Sequence, residues 1–118
     1  MATYTRVSLS GSTTDKPIPV AATATPGTLI HTAVAGAVSF DEVYLWVSNV
    51  TGAAATLTLE WGGVTDPADH LVKAVSIPPN STPIPIATGM VMRNGLIVRA
   101  FSGTANALNL SGFVNRIA

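Results

Sequence analysis

Hydrophobic and polar residues alternate with a period of two along much of this chain, as they do in β-strands. In residues 56–61 (TLTLEW) the two leucines and the tryptophan fall on one side and the polar residues on the other. Residues 43–47 (VYLWV) form an apolar run, too short for a typical helix and rich in β-branched and aromatic residues. This run predicts a strand buried on both faces. With the turn residues between them, the two runs predict the central hairpin of a β-sandwich.

The rest of the chain predicts further strands separated by turns. Asn94-Gly95 is the residue pair preferred in a type I′ hairpin turn, and Gly112 marks a bulge or a close approach by another backbone. We find no helical periodicity. Roughly eight strands predict an all-β, single-domain antiparallel β-sandwich with a jelly-roll-like arrangement. The additional strand segments are residues 3–9, 28–34, 71–77, 82–86, 90–93, 96–101 and 106–117.

Two segments carry proline at every second position, residues 16–20 (KPIPV) and 82–86 (TPIPI). Proline restricts itself and its predecessor to extended backbone and lacks an N–H group, so each segment predicts an edge or an arm. We interpret residues 1–22 as an extended N-terminal arm or first edge strand, and residues 23–118 as the sandwich domain. We expect both segments to dock on a partner by strand addition. The candidate interface residues are Pro17, Ile18, Pro19, Val20, Pro83, Ile84, Pro85 and Ile86.

The composition points to a subunit of a larger assembly. Of 118 residues, 47% are hydrophobic and 10% are charged, with zero net charge, against about 25% charged in ordinary soluble domains. The apolar runs are too short for a spanning helix of about 20 residues, and no secretory signal is visible. The six cationic residues are dispersed, which argues against nucleic-acid binding. The lack of cysteine fits a reducing cytoplasm.

Little in the sequence predicts chemistry. The only histidines are His31 and His70, and no Gly-x-Ser-x-Gly motif occurs, so we expect no catalytic residue and no cofactor. Glu60, Asp66, Asp69 and His70 form the one group of ligand-like residues. Their spacing matches no calcium or zinc signature, and a tight turn explains the aspartates better than a metal site does. A weak surface cation site is the alternative.

Three aromatic residues offer a second alternative. Tyr44, Trp46 and Trp61 could line a sugar-binding surface, as in a carbohydrate-binding β-sandwich module. Their positions on predicted strands favour the core or a subunit contact instead.

Three motifs carry a family resemblance: residues 41–46 (DEVYLW), residues 59–63 (LEWGG), and an ending that runs from residues 96–101 (LIVRAF) to residues 113–117 (FVNRI). With these motifs, about three quarters of the chain resembles small virion structural proteins of tailed phages, of the capsid decoration (cement) type. The resemblance implies a β-rich protein, often trimeric, that sits where capsomers meet on the outer capsid. It implies no catalytic residues.

The hypothesis is therefore a non-enzymatic virion protein that stabilises the phage head by bridging capsomers. Its partners are expected to be itself, as a homotrimer, and the major capsid protein, with no nucleic acid and no membrane. We expect it to be made in the host cytoplasm and to reside in the virion. We also expect loss of residues 1–22 to weaken capsid attachment more than fold stability. A head-fibre, neck or tail component is the alternative within the particle.

Overall fold

The computed structural model describes residues 3–12 and 14–118, and these residues form nine β-strands and no helix. Two antiparallel sheets pack face to face around one hydrophobic core. The expected all-β, single-domain antiparallel sandwich is confirmed. The strands are β1 (Tyr4–Val7), β2 (Ile18–Pro19), β3 (Thr28–Thr32), β4 (Phe40–Asn49), β5 (Ala55–Trp61), β6 (His70–Ile77), β7 (Ile84–Met92), β8 (Ile97–Ser102) and β9 (Leu108–Ile117).

The first sheet has the strand order β1-β9-β4-β7, with β2 also paired to β9, and the second has the order β3-β8-β5-β6. The alternating sequence gives each sheet one inner face. In β4, Val43, Leu45 and Val47 are fully buried, and the residues between them are only half-buried. The expected burial of this strand on both faces is therefore wrong. Each buried aliphatic side chain stabilises the fold by about 1.5–3 kcal/mol because its surface leaves water.

The strands pair from the two ends of the chain inward. β1 and β2 pair with β9, β3 with β8, β4 with β7, and β5 with β6. The chain is therefore one long antiparallel ribbon that turns back on itself between β5 and β6 and rolls into two sheets. From β2 onward, every connection except β5–β6 crosses from one sheet to the other.

This pairing corrects two predicted hairpins. β4 and β5 lie in different sheets, so they are not the central hairpin. Asn94 and Gly95 do form a turn, with φ of 63° and 66°, and Leu96 N donates to Arg93 O at 3.3 Å. The flanking strands β7 and β8 nevertheless belong to different sheets. The turn therefore reverses the chain without placing its two flanking strands side by side in one sheet.

The N-terminal segment closes one side of the sandwich. β1 and β2 extend the first sheet along β9, while Gly11 N donates to Ile30 O of β3 in the second sheet at 2.9 Å. Leu9, Ile18 and Val20 belong to the hydrophobic core. Of the two alternatives for this segment, an arm would hold its side chains away from the body. The burial of these three residues favours the edge strand.

Gly112 lies where two backbones meet. It pairs with Leu45 across β4 and β9 and has a φ of 153°. A Cβ atom at this position would collide with the carbonyl oxygen of Tyr44. The expected close approach by another backbone is confirmed.

Candidate functional site

One cluster of titratable residues lies at the end of the core where β4 begins. Asp41 is fully buried and His31 is 1% exposed. His31 Nε2 lies 2.8 Å from Asp41 Oδ2, Arg116 donates through Nε to Oδ1 at 2.8 Å and through Nη2 to Oδ2 at 3.0 Å, and Val34 N donates to Oδ2 at 3.1 Å. We call His31, Asp41 and Arg116 the buried charge network.

The environment of the network shifts two pKa values. Burial lowers the pKa of His31 below its ordinary value of 6.5, and the charge of Arg116 adds to this, although the contact with Asp41 opposes it. Burial alone would raise the pKa of Asp41, but hydrogen bonds from Arg116, His31 and Val34 outweigh burial and hold that pKa below 3.8. At neutral pH, Asp41 is therefore an anion beside a neutral imidazole and a guanidinium cation.

The network contains a serine neighbour but lacks the contact that nucleophilic catalysis requires. Ser10 donates its backbone N–H to His31 Nδ1 at 3.1 Å, whereas its hydroxyl oxygen accepts a hydrogen bond from Thr32 N at 2.6 Å. In a Ser–His–Asp triad the hydroxyl itself must face the imidazole. The geometry is that of a structural network, which ties β3, β4 and β9 to the N-terminal segment.

The ligand-like residues of the 60–70 region point to different partners. Glu60 is fully buried and accepts hydrogen bonds from Thr25 Oγ1 at 2.5 Å and Gly27 N at 2.7 Å. Asp69 Oδ2 accepts from Thr65 N at 3.0 Å, as a turn residue does. Across residues 3–12 and 14–118, no group of three or more His, Asp or Glu side chains is placed to hold a metal ion.

Asp66 and His70, the other two of the four ligand-like residues, form only a weak contact. His70 Nδ1 lies 3.5 Å from Asp66 Oδ1, too far for a strong hydrogen bond. Lys73 Nζ already occupies the same oxygen at 2.7 Å, and this hydrogen bond lowers the pKa of Asp66. The Asp69 side chain has the expected turn role, whereas the Asp66 side chain lies in the turn and pairs with Lys73.

An aromatic ladder crosses the outer face of the first sheet. Tyr44 stacks on Phe113 with ring centroids 4.9 Å apart and an interplanar angle of 18°. Arg6 covers the Phe113 ring at 4.3 Å, and a Cβ atom added to Gly89 would lie 3.3 Å from Tyr44 Cζ. The ladder Arg6–Phe113–Tyr44–Gly89 therefore takes one residue from each of β1, β9, β4 and β7. Such cross-strand contacts stabilise the sheet.

The ladder bears on the sugar-binding alternative. A sugar ring stacks on an exposed aromatic face, but both neighbours of Phe113 in the ladder, Tyr44 and Arg6, lie against its ring. Trp46 is half-buried and tilts towards Phe113 at 6.0 Å. Trp61 packs partly buried against the core. The geometry favours a structural role for these rings.

The two proline-containing segments lie on opposite edges of the first sheet. In one row across the sheet, Ile18 pairs with Leu110, Leu110 with Val47, and Val47 with Ile84. Three strand spacings of about 4.8 Å separate β2 from β7 by roughly 14 Å, so the segments do not form one patch. The expected edge position of residues 82–86 is confirmed, since β4 is the one strand that pairs with β7 among the residues that the structure describes.

The candidate interface residues divide by burial. Ile18 and Val20 are in the core, and Ile84 and Ile86 pack partly buried against it. The prolines are exposed: Pro17, Pro19, Pro83 and Pro85. Of this set, the prolines alone are fully available to a partner, because the isoleucines and Val20 point into the sandwich.

Sequence reasoning missed a further surface, which we call the uncharged end. Because the chain reverses at every strand, four connections meet at one end of the sandwich: residues 20–24, 50–54, 78–83 and 103–107. None of them contains Asp, Glu, Lys, Arg or His. The signal was present in the sequence as four charge-free turn segments, but only the strand order shows that they converge.

Hydrogen bonds join the loops of the uncharged end to one another. Asn106 N donates to Val20 O at 2.9 Å, Val50 N to Ala107 O at 3.0 Å, and Asn80 N to Thr51 O at 2.9 Å. Asn49, which is 1% exposed, donates from Nδ2 to Ala53 O at 2.9 Å and to Ile77 O at 3.1 Å. This end is therefore a preformed surface of small, neutral residues.

At the opposite end a shallow cleft of about 230 Å³ lies between the β5–β6 and β7–β8 connections. Val64 and Leu96, both 44% exposed, line it together with three glycines, Ile97 and Arg99. Small-molecule pockets usually measure about 300–1,000 Å³. The cleft is smaller than such sites and contributes mainly to the exposed apolar surface.

Comparison of the chain with protein-family models, with curated proteins and with solved structures gives no match. In the part of the chain that the structure describes, no helix has the length and apolar character to cross a bilayer. The surface chemistry and the strand pairing are therefore the basis for any functional conclusion.

Proposed function

We propose that this protein is a non-enzymatic structural protein of a phage particle: a homotrimeric decoration protein that bridges major capsid subunits and stabilises the head. It would be made in the host cytoplasm and reside in the virion. The observation that supports this most is the surface. Among residues 3–12 and 14–118, ten large hydrophobic side chains are exposed, whereas two of the twelve charged residues, Asp41 and Glu60, are fully buried. Because charge is sparse on this surface, we infer that part of it contacts other subunits.

The strand pairing supports the proposal at the level of architecture. β1 and β2 both pair with β9, and if they are counted as one strand the ribbon has eight strands, with the first paired to the last. This arrangement is typical of a jelly roll, an architecture found in viral capsid and lectin domains. We therefore infer a jelly roll here. Because one fold can serve many functions, this inference adds to the surface argument and the sequence resemblance and does not replace them.

The uncharged end is the surface best suited to the capsid. Burying a charge without a partner costs several kcal/mol, and the four loops at this end contain none. Their mutual hydrogen bonds reduce the entropy that docking would otherwise lose. We infer that the uncharged end packs on a neutral region where capsid subunits meet.

The first experiment measures the native mass of the purified protein by analytical ultracentrifugation, with a trimer expected. The second adds the protein to heads assembled without it and measures binding by co-sedimentation and electron microscopy. Density at the junctions between capsomers is the expected result. Density on the neck, tail or a fibre would select the alternative within the particle, and a monomer that binds no part of the particle would refute the proposal.

Charge substitutions then test the docking surface itself. Ala53→Glu and Thr104→Glu introduce a carboxylate at exposed positions of the uncharged end, and we expect each to weaken head binding at least tenfold with stability within about 0.5 kcal/mol of wild type. Val38→Glu is the matched control, because Val38 is 91% exposed at the opposite end. Equal binding by all three variants would exclude the uncharged end as the docking surface.

A further inference from the structure

We propose that His31 is a proton-operated latch. At neutral pH it holds the clamp segment, which we define as residues 9–12, against β3, and on protonation it releases that segment. The latch is a property of the fold and does not depend on the proposed function. It rests on the hydrogen bonds at the two nitrogens of the His31 ring.

The two contacts assign the tautomer. A carboxylate accepts hydrogen bonds only, so the proton of neutral His31 lies on Nε2, which is 2.8 Å from Asp41 Oδ2. Nδ1 must then be the acceptor, and it receives the Ser10 N–H at 3.1 Å. Both ring nitrogens are in use, and each has the role that the neutral Nε2–H tautomer requires.

Protonation disrupts one of these contacts. A proton from solvent can add only at Nδ1, where the resulting N–H would face the N–H of Ser10. Two donors then oppose each other, and the hydrogen bond is lost. The charged groups that act on His31 are Asp41 of β4 and Arg116 of β9, and the clamp segment and β3 contain no charged residue besides His31. Arg116 already neutralises Asp41, so the carboxylate compensates the new charge only in part.

The clamp segment has few other attachments. Gly11 N donates to Ile30 O at 2.9 Å, Thr32 N donates to Ser10 Oγ at 2.6 Å, and Leu9 is 3% exposed. The three hydrogen bonds, including the one to His31, join this short stretch to one edge of β3, and Leu9 packs into the hydrophobic core. Opening would therefore expose that edge and the imidazole together, without breaking the β4–β9 pairing.

The direction of the pH effect follows from the lowered pKa of His31. The open state binds a proton more readily than the closed state, so opening becomes more favourable as the pH falls through the ordinary value of 6.5. As long as His31 stays neutral in the closed state, the ratio of open to closed molecules rises about 30-fold between pH 7.5 and pH 5.0, from the factor 1 + 10^(6.5 − pH).

Amide hydrogen exchange measured by NMR, corrected for intrinsic exchange rates, tests the latch. Protection of the Ser10 and Gly11 amides should fall by up to about 30-fold between pH 7.5 and pH 5.0, while amides in β4 and β9 keep their protection. His31→Gln places a side chain with a fixed protonation state at this position and should remove the response. His70→Gln, the control at the other histidine, should retain it.

Three results would overturn the proposal. The first is a response in His31→Gln equal to that of wild type. The second is unchanged protection at Ser10 and Gly11 in the wild-type protein at pH 5.0. The third needs no variant: ¹⁵N spectra of the ring that show the proton of neutral His31 on Nδ1 would contradict the tautomer on which the latch depends.

Discussion

The substitution Asp41→Asn tests the buried charge network while keeping the side-chain size nearly constant. Asp41 accepts four hydrogen bonds: one to Oδ1 from Arg116, and three to Oδ2 from His31, Val34 and Arg116. Asparagine has one acceptor oxygen and one NH₂ group. In its best orientation the oxygen replaces Oδ2, and the NH₂ group then faces the Nε–H of Arg116. At least one hydrogen bond and the whole ionic attraction are lost.

The size of the loss follows from burial. Removing one partner of a buried ion pair costs about 3–5 kcal/mol, because the other charge remains without compensation. The Arg116 side chain is 30% exposed, so water can solvate part of its guanidinium. We therefore expect the lower value, about 3 kcal/mol, which corresponds to a fall of about 12 °C in Tm for a domain of this size.

Urea denaturation at pH 7.5, followed by tryptophan fluorescence and circular dichroism, measures this loss. Asp66→Asn is the matched control, since it removes the same charge from a pair with Lys73 in which both side chains are 56% exposed. An exposed pair contributes at most about 1 kcal/mol. If Asp41→Asn destabilises the protein no more than Asp66→Asn does, the network is not a stabilising element and the reasoning is wrong.

Three further predictions follow from the packing. Gly112→Ala should cost more than about 3 kcal/mol in thermal denaturation, because its Cβ would collide with Tyr44 O, whereas Gly52→Ala, with open space around it, should be nearly neutral. Deletion of residues 1–22 should give a protein without cooperative unfolding, since it removes three core residues; this replaces the expectation from the sequence that the loss would weaken capsid attachment more than fold stability, and a stable truncated protein would restore the arm interpretation. Because the pKa of Asp41 is lowered, the stabilisation that this carboxylate contributes is present above pH 3.8 and is lost as the pH falls through its folded-state pKa. In an acid titration, the free energy of unfolding of Asp41→Asn should lack this pH-dependent contribution.

The strands could be predicted from the sequence because each depends on a local pattern. Alternation in residues 56–61 predicted β5, and the apolar run at residues 43–47 predicted half of β4. β7 was predicted as two pieces, residues 82–86 and 90–93, whereas it is continuous from Ile84 to Met92. Gly89, with a φ of 83°, forms a bulge there, so the alternation breaks while the strand continues.

The pairing of the strands could not be predicted, because it depends on contacts distant in sequence. The Asn94-Gly95 pair fixed the local backbone and gave no information about the sheet to which β8 belongs. Proline in residues 16–20 likewise indicated extended backbone, but the burial of Ile18 and Val20 depends on β9, about ninety residues later. The N-terminal edge strand therefore lay beyond any local rule.

The buried charge network did leave a signal in the sequence. Asp41 shares the period-two face of Val43, Leu45 and Val47, so a carboxylate falls in line with three core residues. A charged residue on a core face needs a partner. The sequence could therefore have indicated that Asp41 has a buried partner. It could not identify that partner as Arg116, which lies 75 residues away and comes opposite Asp41 through the β4–β9 register.

The sheet edges restrict how copies of this protein can associate. Strand addition needs a continuous row of free N–H and C=O groups, but β7 has Pro85 and a bulge at Gly89. β6 has a φ of 49° at Ala74, whose N–H donates back to Thr58 Oγ1 at 3.0 Å. The clamp segment covers part of β3. We therefore do not retain the expectation that the proline-containing segments add strands to a partner. Under the proposed function, side-chain surfaces such as the uncharged end, rather than the edges at β7, β6 and β3, provide the trimer contacts and the capsid contacts.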